Sequence, residues 1–151
     1  MFYPDGKIID NPLDPVINVD DIGRALANKC RFNGLCEPFY SVAQHSVLLW
    51  EATKEPWALF HDASEAYLPD IPFGMKNDFE ICGKPFREVE DVLLQRIADH
   101  VGVSVECMAP WDEWLGTWET MCLYFNMDGL YCWTPEESYD RWIDAVNGSA
   151  G

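Results

Sequence analysis

The sequence has few basic residues. Of its 151 residues only 10 are lysine or arginine, against 26 aspartates and glutamates, and the formal net charge is −16. A nucleic-acid-binding surface needs a basic stripe, and docking on an anionic membrane needs a basic patch, so we expect neither partner. A small anionic substrate stays open, provided that a metal ion and a few local cations offset the negative field.

Long apolar runs and closely spaced cysteine pairs are also missing. No run reaches membrane-spanning length, and Asp5, Lys7 and Asp10 break any signal-peptide pattern. No two of the six cysteines have the two-residue spacing of a zinc knuckle or a redox motif. We expect a cytoplasmic protein with reduced, packed cysteines, and a zinc site on Cys30 and Cys36 is the less favoured alternative.

The apolar residues that are present predict one helical domain. A hydrophobic content of 48% in 151 residues is enough for a core, and residues 1–151 show no linker or internal repeat. Helical periodicity predicts a compact all-α bundle of about six helices, and Pro4-Asp5-Gly6 adds the turn signal of a short N-terminal β-hairpin. The six predicted helices run from Asn18 or Asp20 to Lys29, Ser41 to Ala52, Pro56 to Leu68, Pro85 to Val101, Pro110 to Gly129, and Pro135 to Gly148.

Two of these helices begin with strong capping signals. Ser41 followed by Gln44 fits a capping box, in which each side chain bonds to the other residue's backbone N–H. Thr134, Pro135 and Glu137 fit the N-cap, N1 and N3 positions of the last helix.

The fifth helix carries an aromatic stripe at spacings of three and four. The stripe consists of Trp111, Leu115, Trp118, Cys122 and Phe125. Such a stripe fits either the core or a contact between subunits. Because the chain has 7 tryptophans and tryptophan is enriched at interfaces, we expect a homo-oligomer.

The third predicted helix has polar residues in an otherwise apolar run. His61 and Asp62 interrupt residues 59–70, and Glu65 lies one turn after His61 on the same face. Burying such groups is costly unless they are paired or bind a cation. Adjacent side chains on an α-helix point about 100° apart, which still allows both to reach one ion beside the helix.

His45 on the second helix and Asp112 on the fifth could complete a helix-borne cage. Imidazole and carboxylate are the usual ligands of zinc, cobalt, manganese or iron. The alternatives are ordinary: a buried histidine is often a hydrogen-bonded core group, and Asp112 suits a helix N-terminus. Spacing alone leaves the metal site and these alternatives equally open.

Taken together, the blocks around these residues resemble the HD-domain metal-dependent phosphohydrolases, especially the small phage and bacterial members that hydrolyse nucleotides. The blocks occur in the family's order and cover most of the chain. They are residues 21–28, 30–32, 39–46, 61–68 and 70–72, followed by Lys76 and, with a weaker local signature, Asp112.

The resemblance implies a role for each matched residue. It implies a divalent metal (zinc, cobalt, manganese or similar, with additional magnesium on the phosphates also open). The implied ligands are His45, His61, Asp62 and Asp112. The implied catalytic acids are Glu65 and Asp70, and the implied substrate contacts are Arg31, Phe32 and Lys76.

The resemblance also implies the substrate class. The favoured reaction is a triphosphohydrolase acting on a deoxynucleoside triphosphate, as in dATP-removing relatives, with a 5′-nucleotidase acting on monophosphates as the alternative. A nucleotide sensor without turnover is the third hypothesis. Pro69 stands where many relatives have glycine, and Phe73-Gly74 replaces a polar-proline pair, so substrate choice is less well indicated than the metal site.

Overall fold

The computed structural model describes residues 14–149 and confirms the all-α class. This part of the chain contains five α-helices, four short 3₁₀-helices and one two-stranded antiparallel hairpin. The N-terminal hairpin predicted at Pro4–Gly6 lies outside the described residues. The α-helices are α1 (Val19–Asn28), α2 (Val42–Thr53), α3 (Phe86–Val101), α4 (Ala109–Tyr124) and α5 (Pro135–Ser149).

The remaining elements lie between these helices. The 3₁₀-helices span Phe32–Gly34, Pro56–Leu59, Ala63–Ala66 and Phe73–Asp78. The short hairpin pairs β1 (Glu80–Ile81) with β2 (Lys84–Pro85) directly before α3. It was not expected from the sequence, which predicts no strand between the helices that end at Leu68 and begin at Pro85.

Three of the predicted helix starts are confirmed. Asn18 accepts a hydrogen bond from the Asp21 amide at the start of α1. The hydroxyl oxygen of Ser41 accepts from the Gln44 amide at 2.9 Å, and that of Thr134 accepts from the Glu137 amide at 3.1 Å. Each bond satisfies one of the amides that a helix leaves unpaired at its N-terminus.

The capping box at Ser41 is only half formed, because the Gln44 side chain has other partners. Its amide nitrogen donates to the carbonyl of Tyr131 at 2.7 Å, and its amide oxygen accepts from the Trp133 amide at 2.8 Å. Gln44 is fully buried, so these two bonds satisfy its polar atoms and attach the segment before α5 to the start of α2.

The continuous helix predicted from Pro56 to Leu68 is wrong. The chain forms 3₁₀-helices at Pro56–Leu59 and Ala63–Ala66, separated by a turn at residues 60–62. Phe60 (φ −116°, ψ −1°) and Asp62 (φ −105°, ψ 12°) lie near the sparsely populated bridge region, which is common at functional sites. The break leaves backbone carbonyls free for side chains, with consequences for His61 described below.

Two predicted helix ends also differ. Helix α4 ends at Tyr124 and not at Gly129, because Asn126 adopts a left-handed conformation (φ +56°) and stops it earlier. Gly148 lies within α5 and does not end it.

Only part of the aromatic stripe belongs to the core. Leu115 is buried and Trp118 is half-buried, whereas Trp111 is 49% and Phe125 is 69% exposed. The exposed tryptophan and phenylalanine leave the oligomer contact as a prediction.

The core is centred on Trp142 of α5, which packs against α1 and the first 3₁₀ segment of the 56–66 region. Its ring is fully buried and meets Phe60 edge-on, with ring centroids 5.5 Å apart. Its indole N–H donates to the carbonyl of Leu59 at 2.9 Å, one of the carbonyls that the helix break leaves free. Trp142 therefore fixes the backbone directly before His61.

Gly23 of α1 allows the close approach of Trp142. A Cβ at this position would lie 2.8 Å from one ring atom of Trp142 and 3.3 Å from the ring of Tyr139. We expect Gly23→Ala to lower the free energy of unfolding by about 1–3 kcal/mol, because overpacking outweighs the gain in helix propensity.

Gly148→Ala is the matched control for Gly23→Ala. Nothing lies within 4 Å of a Cβ at this exposed helical position, so the same substitution should stabilise by up to about 1 kcal/mol. Urea denaturation measures both, and equal effects at the two positions would contradict the packing described here.

The structure adds two observations on the exclusions drawn from the sequence. None of the helices within residues 14–149 is long and apolar enough to cross a membrane. All six cysteines lie in this range and are free thiols, with Cys36 buried and Cys30 half-buried.

Candidate metal centre

Two histidines and one aspartate converge on a single point. His45 on α2 is fully buried, and its Nε2 lies 2.6 Å from Oδ1 of Asp112 at the start of α4. Nε2 of His61, in the turn between the two 3₁₀ segments, lies 3.2 Å from the same oxygen. One ligand atom from each of the three residues lies within 4.8 Å of the others, the spacing of groups that could hold one ion.

The helix break brings Asp62 to the same place. Oδ2 of Asp62 lies 3.1 Å from Nε2 of His61, although Asp62 falls outside the three-residue group. On a regular α-helix, the two adjacent side chains would diverge by about 100°. The turn conformation removes this divergence, so the Asp62 carboxylate lies beside His61 at the edge of the three-residue group.

Each histidine is oriented by a bond from its other ring nitrogen. Nδ1 of His61 lies 2.6 Å from the carbonyl of Ala58, which the helix break leaves available. Nδ1 of His45 lies 2.8 Å from Oε2 of Glu119. A proton on each Nδ1 satisfies both contacts, and this tautomer turns each Nε2 toward Asp112 with a free lone pair when a metal is bound.

Sequence reasoning missed Glu119. The residue lies on α4, and its side chain is fully buried. The available signal was its spacing of seven from Asp112, which places the two carboxylates on one face of the helix two turns apart. Glu119 lies between Trp118 and Thr120 in a largely apolar helix, and residue type alone did not predict a role for it.

The electrostatics of the cluster favour a bound cation. Burial raises the pKa of Asp112, but hydrogen bonds from His45 and His61 outweigh it and hold that pKa well below its ordinary value. Burial likewise opposes ionisation of Asp62, and the adjacent His61 overcomes it and lowers the pKa. Burial lowers the pKa of His61, but Asp62 and Asp112 raise it well above the ordinary value. The carboxylates of Asp62 and Asp112 thus stay ionised, and they favour a positive charge between them, as the raised pKa of His61 shows.

The donor set suits a first-row divalent metal. Two imidazoles and two carboxylates offer nitrogen and oxygen ligands of the kind that zinc, manganese, cobalt and iron accept. The partners of both Nδ1 atoms supply the outer hydrogen bonds that metal-bound histidines normally have. The residues therefore fit the divalent metal that the family resemblance implies.

The predicted acid Glu65 lies beside the cluster in a half-buried position. Burial, followed by the charges of Asp62 and Asp70, raises its pKa to about 8, despite the opposing charges of Lys29 and Arg31. Asp70, the other predicted catalytic acid, is exposed. A carboxyl group that can exchange a proton near neutral pH is thus placed next to the candidate ligands.

Arg31 connects the centre to the predicted substrate side. Its guanidinium nitrogens lie 3.9 Å from Oδ2 of Asp62 and 3.5 Å from Oε1 of Glu119. Its Nε is buried and has no hydrogen-bond partner among residues 14–149. Such an orphan donor is costly to bury and is available to an anionic ligand.

Phe32 is held in a strained conformation next to Arg31. Its φ of +55° is unusual for a bulky residue. The ring stacks on Tyr40 (centroids 6.5 Å apart), meets Tyr124 edge-on (5.8 Å), and lies 5.2 Å from the Arg31 guanidinium carbon. Strain of this kind persists where the surroundings fix the side chain, often at ligand sites.

Lys76 contacts α3 and none of the metal ligands. Its ammonium nitrogen lies 3.0 and 3.1 Å from the two carboxylate oxygens of Glu90, and the Ser64 hydroxyl donates to Glu90 at 3.4 Å. Its predicted role as a phosphate-binding cation remains a prediction, and in this conformation Glu90 already neutralises its charge.

Comparison with known proteins gives one partial relative. The uncharacterised protein YfdR of Escherichia coli (strain K12) is 50% identical over 78 residues, which is 50% of this chain and 41% of that protein. The match thus spans less than half of the relative's length. No family model matches the sequence.

Proposed function

We propose that this chain is a metal-dependent phosphohydrolase acting on nucleotides, of the HD-domain type. The observation that carries the proposal is the convergence of His45, His61 and Asp112 from three separate parts of the chain, with Asp62 beside His61. These four residues are the ones that the family resemblance implies as metal ligands. The oriented histidines and the ionised carboxylates support the same role.

The ion would be held by His45, His61, Asp62 and Asp112. A divalent metal bound by such a set polarises a phosphoryl oxygen and lowers the pKa of a coordinated water. The role of the protein is to keep the two Nε2 atoms and the carboxylates aimed at one point before substrate arrives, so that little reorganisation is needed during the reaction.

Glu65 is the proposed acid–base group. Its pKa of about 8 lets a substantial fraction of its carboxyl group carry a proton near neutral pH. It can therefore accept a proton from the attacking water or donate one to the leaving oxygen. A positioned group of this kind contributes about 10²–10⁴-fold to the rate.

Arg31 is the proposed phosphate-binding cation. It is paired with Asp62, and its buried Nε lacks a hydrogen-bond partner within the described part of the chain. A phosphate oxygen would satisfy that donor and offset part of the negative field of the protein. The neighbouring Phe32 ring offers an apolar surface for the sugar or base.

The cation contacts favour a monophosphate over a triphosphate. The matched blocks and the stretches beside them carry four cations: Arg24, Lys29, Arg31 and Lys76. All except Arg31 bond to groups other than the candidate ligands, namely Asp20, the carbonyls of Glu65 and Leu68, and Glu90. Of the four, Arg31 alone is paired with a candidate ligand, and this single pairing favours the 5′-nucleotidase alternative over the triphosphohydrolase.

A substrate panel tests the proposal. Full-length protein treated with chelator is supplied with Mn²⁺, Co²⁺, Zn²⁺ or Mg²⁺ and with deoxynucleoside mono-, di- and triphosphates. We expect inorganic phosphate from the monophosphates, only when metal is present. Release of intact triphosphate from a deoxynucleoside triphosphate would instead support the triphosphohydrolase hypothesis, and tight nucleotide binding without any product would indicate a sensor.

A further inference from the structure

Glu119 makes more contacts around the metal centre than any role so far requires. It is fully buried in α4 and lies behind His45, on the side of the imidazole that faces away from Asp112. One of its oxygens, Oε2, accepts hydrogen bonds from both His45 Nδ1 and the Tyr40 hydroxyl. The other oxygen, Oε1, lies 3.5 Å from Nη2 of Arg31.

We propose that Glu119 is a positioning residue that sets both the metal ligand His45 and the phosphate-binding cation Arg31. The inference rests on the proposed metal centre and extends it to a residue outside the ligand set. One carboxylate would thereby link the formation of the metal site to the formation of the phosphate site.

The contact with His45 fixes the ring. A carboxylate facing Nδ1 holds the proton on that nitrogen and leaves the Nε2 lone pair for a metal. It also makes the imidazole a stronger donor and limits its rotation. His61 donates its equivalent bond to the backbone carbonyl of Ala58, which is neutral. Of the two acceptors that orient the histidines, only Glu119 is charged.

The contact with Arg31 fixes the cation. The guanidinium lies between Asp62 and Glu119, so its two terminal nitrogens are held while its Nε remains unpaired. Oε1 of Glu119 has no hydrogen-bond partner within residues 14–149, and its charge is met by this ion pair. Without Glu119, the longer 3.9 Å ion pair with Asp62 would be the one ion pair left to Arg31. The orientation of the guanidinium group would then no longer be fixed.

The test separates the two contacts with two substitutions at one position. Glu119→Gln keeps an oxygen that can accept from His45 but removes the charge that holds Arg31. Glu119→Met keeps similar volume and removes both contacts. Glu113→Gln and Glu113→Met, at an exposed glutamate of the same helix, are the matched controls.

Metal affinity is measured without substrate, by Co²⁺ absorption and by calorimetry with Mn²⁺. We expect Glu119→Met to weaken metal binding by about 10–100-fold, as for other groups that orient metal-bound histidines, and Glu119→Gln to weaken it less. Binding of inorganic phosphate to the metal-loaded protein, measured by calorimetry, should weaken in both variants. The Glu113 controls should match the unaltered protein in both measurements.

The outcomes are distinct from a failure of the proposed function, because metal binding is read without turnover. Metal affinity of folded Glu119→Met within twofold of the unaltered protein would overturn the inference, as would unchanged phosphate affinity in both variants. If the variants do not fold, ¹⁵N-histidine NMR of the unaltered zinc-loaded protein decides. A proton on Nδ1 of His45 with the metal on Nε2 supports the inference, and the reverse arrangement overturns it.

Discussion

Asp112→Asn is expected to weaken binding of Mn²⁺ or Co²⁺ by at least ~100-fold and to abolish phosphate release. Oδ1 of Asp112 lies 2.6 Å from Nε2 of His45 and 3.2 Å from Nε2 of His61, so it is the point that both histidines share. An amide has similar shape but no charge, and it places a neutral group between two ligand nitrogens. Calorimetry on chelator-treated protein measures the affinity directly.

Asp144→Asn is the control for this substitution. Asp144 is exposed on α5, so the same loss of one charge should leave metal affinity unchanged. If Asp112→Asn bound metal as tightly as the unaltered protein, Asp112 would not be a ligand and its contacts with the histidines would be only structural.

Glu65→Gln is expected to lower the turnover number by about 10²–10⁴-fold while leaving metal affinity nearly unchanged. Glutamine keeps the volume of the side chain but cannot transfer a proton. The measurement is steady-state phosphate release together with a metal titration. Turnover within threefold of the unaltered protein would remove Glu65 from the mechanism.

The same variant has a stability signature in the metal-free protein. Burial and the charges of Asp62 and Asp70 raise the pKa of Glu65 from 4.5 to about 8, so between these values the folded chain binds a proton that the unfolded chain has lost. The free energy of unfolding therefore falls as the pH rises through this window. Glu65→Gln lacks this loss, and its stability advantage should grow by roughly 2–4 kcal/mol between pH 5 and pH 8.5.

Much of the site could be predicted because its ligands lie in ordered sequence blocks. Residue type, spacing and resemblance identified His45, His61, Asp62 and Asp112. The structure brings His45, His61 and Asp112 together and places Asp62 beside His61. The helix starts at Ser41 and Thr134 were also predictable, since capping depends on local residues.

The helix break at residues 60–62 could not be predicted from local pattern. Periodicity across Pro56–Leu68 favours one helix, whereas one long-range and one local side-chain contact favour the break. The carbonyl of Leu59 accepts from Trp142, and the carbonyl of Ala58 contacts His61. These bonds depend on residues up to 83 positions away, which a local reading does not weigh. The prediction failed at the segment that carries His61 and Asp62, two of the candidate metal ligands, and local preference commonly yields at functional sites.

Glu119 and Glu90 were missed for a related reason. Both are acids on helices, and their importance depends on which side chain faces them across the bundle. Glu119 faces His45 and Arg31, and Glu90 faces Lys76. Sequence spacing places a residue on a helical face but does not identify its partner.

The most direct test of the proposed metal-dependent phosphohydrolase activity is to measure phosphate release before and after metal is restored. Chelator-treated full-length protein is incubated with a deoxynucleoside monophosphate, and one equivalent of Mn²⁺ or Co²⁺ is then added. The proposed centre predicts no phosphate before the addition, release after it, and none at any stage with Asp112→Asn. Equal release before and after the addition, or no release from any nucleotide with any of the metals, would contradict it.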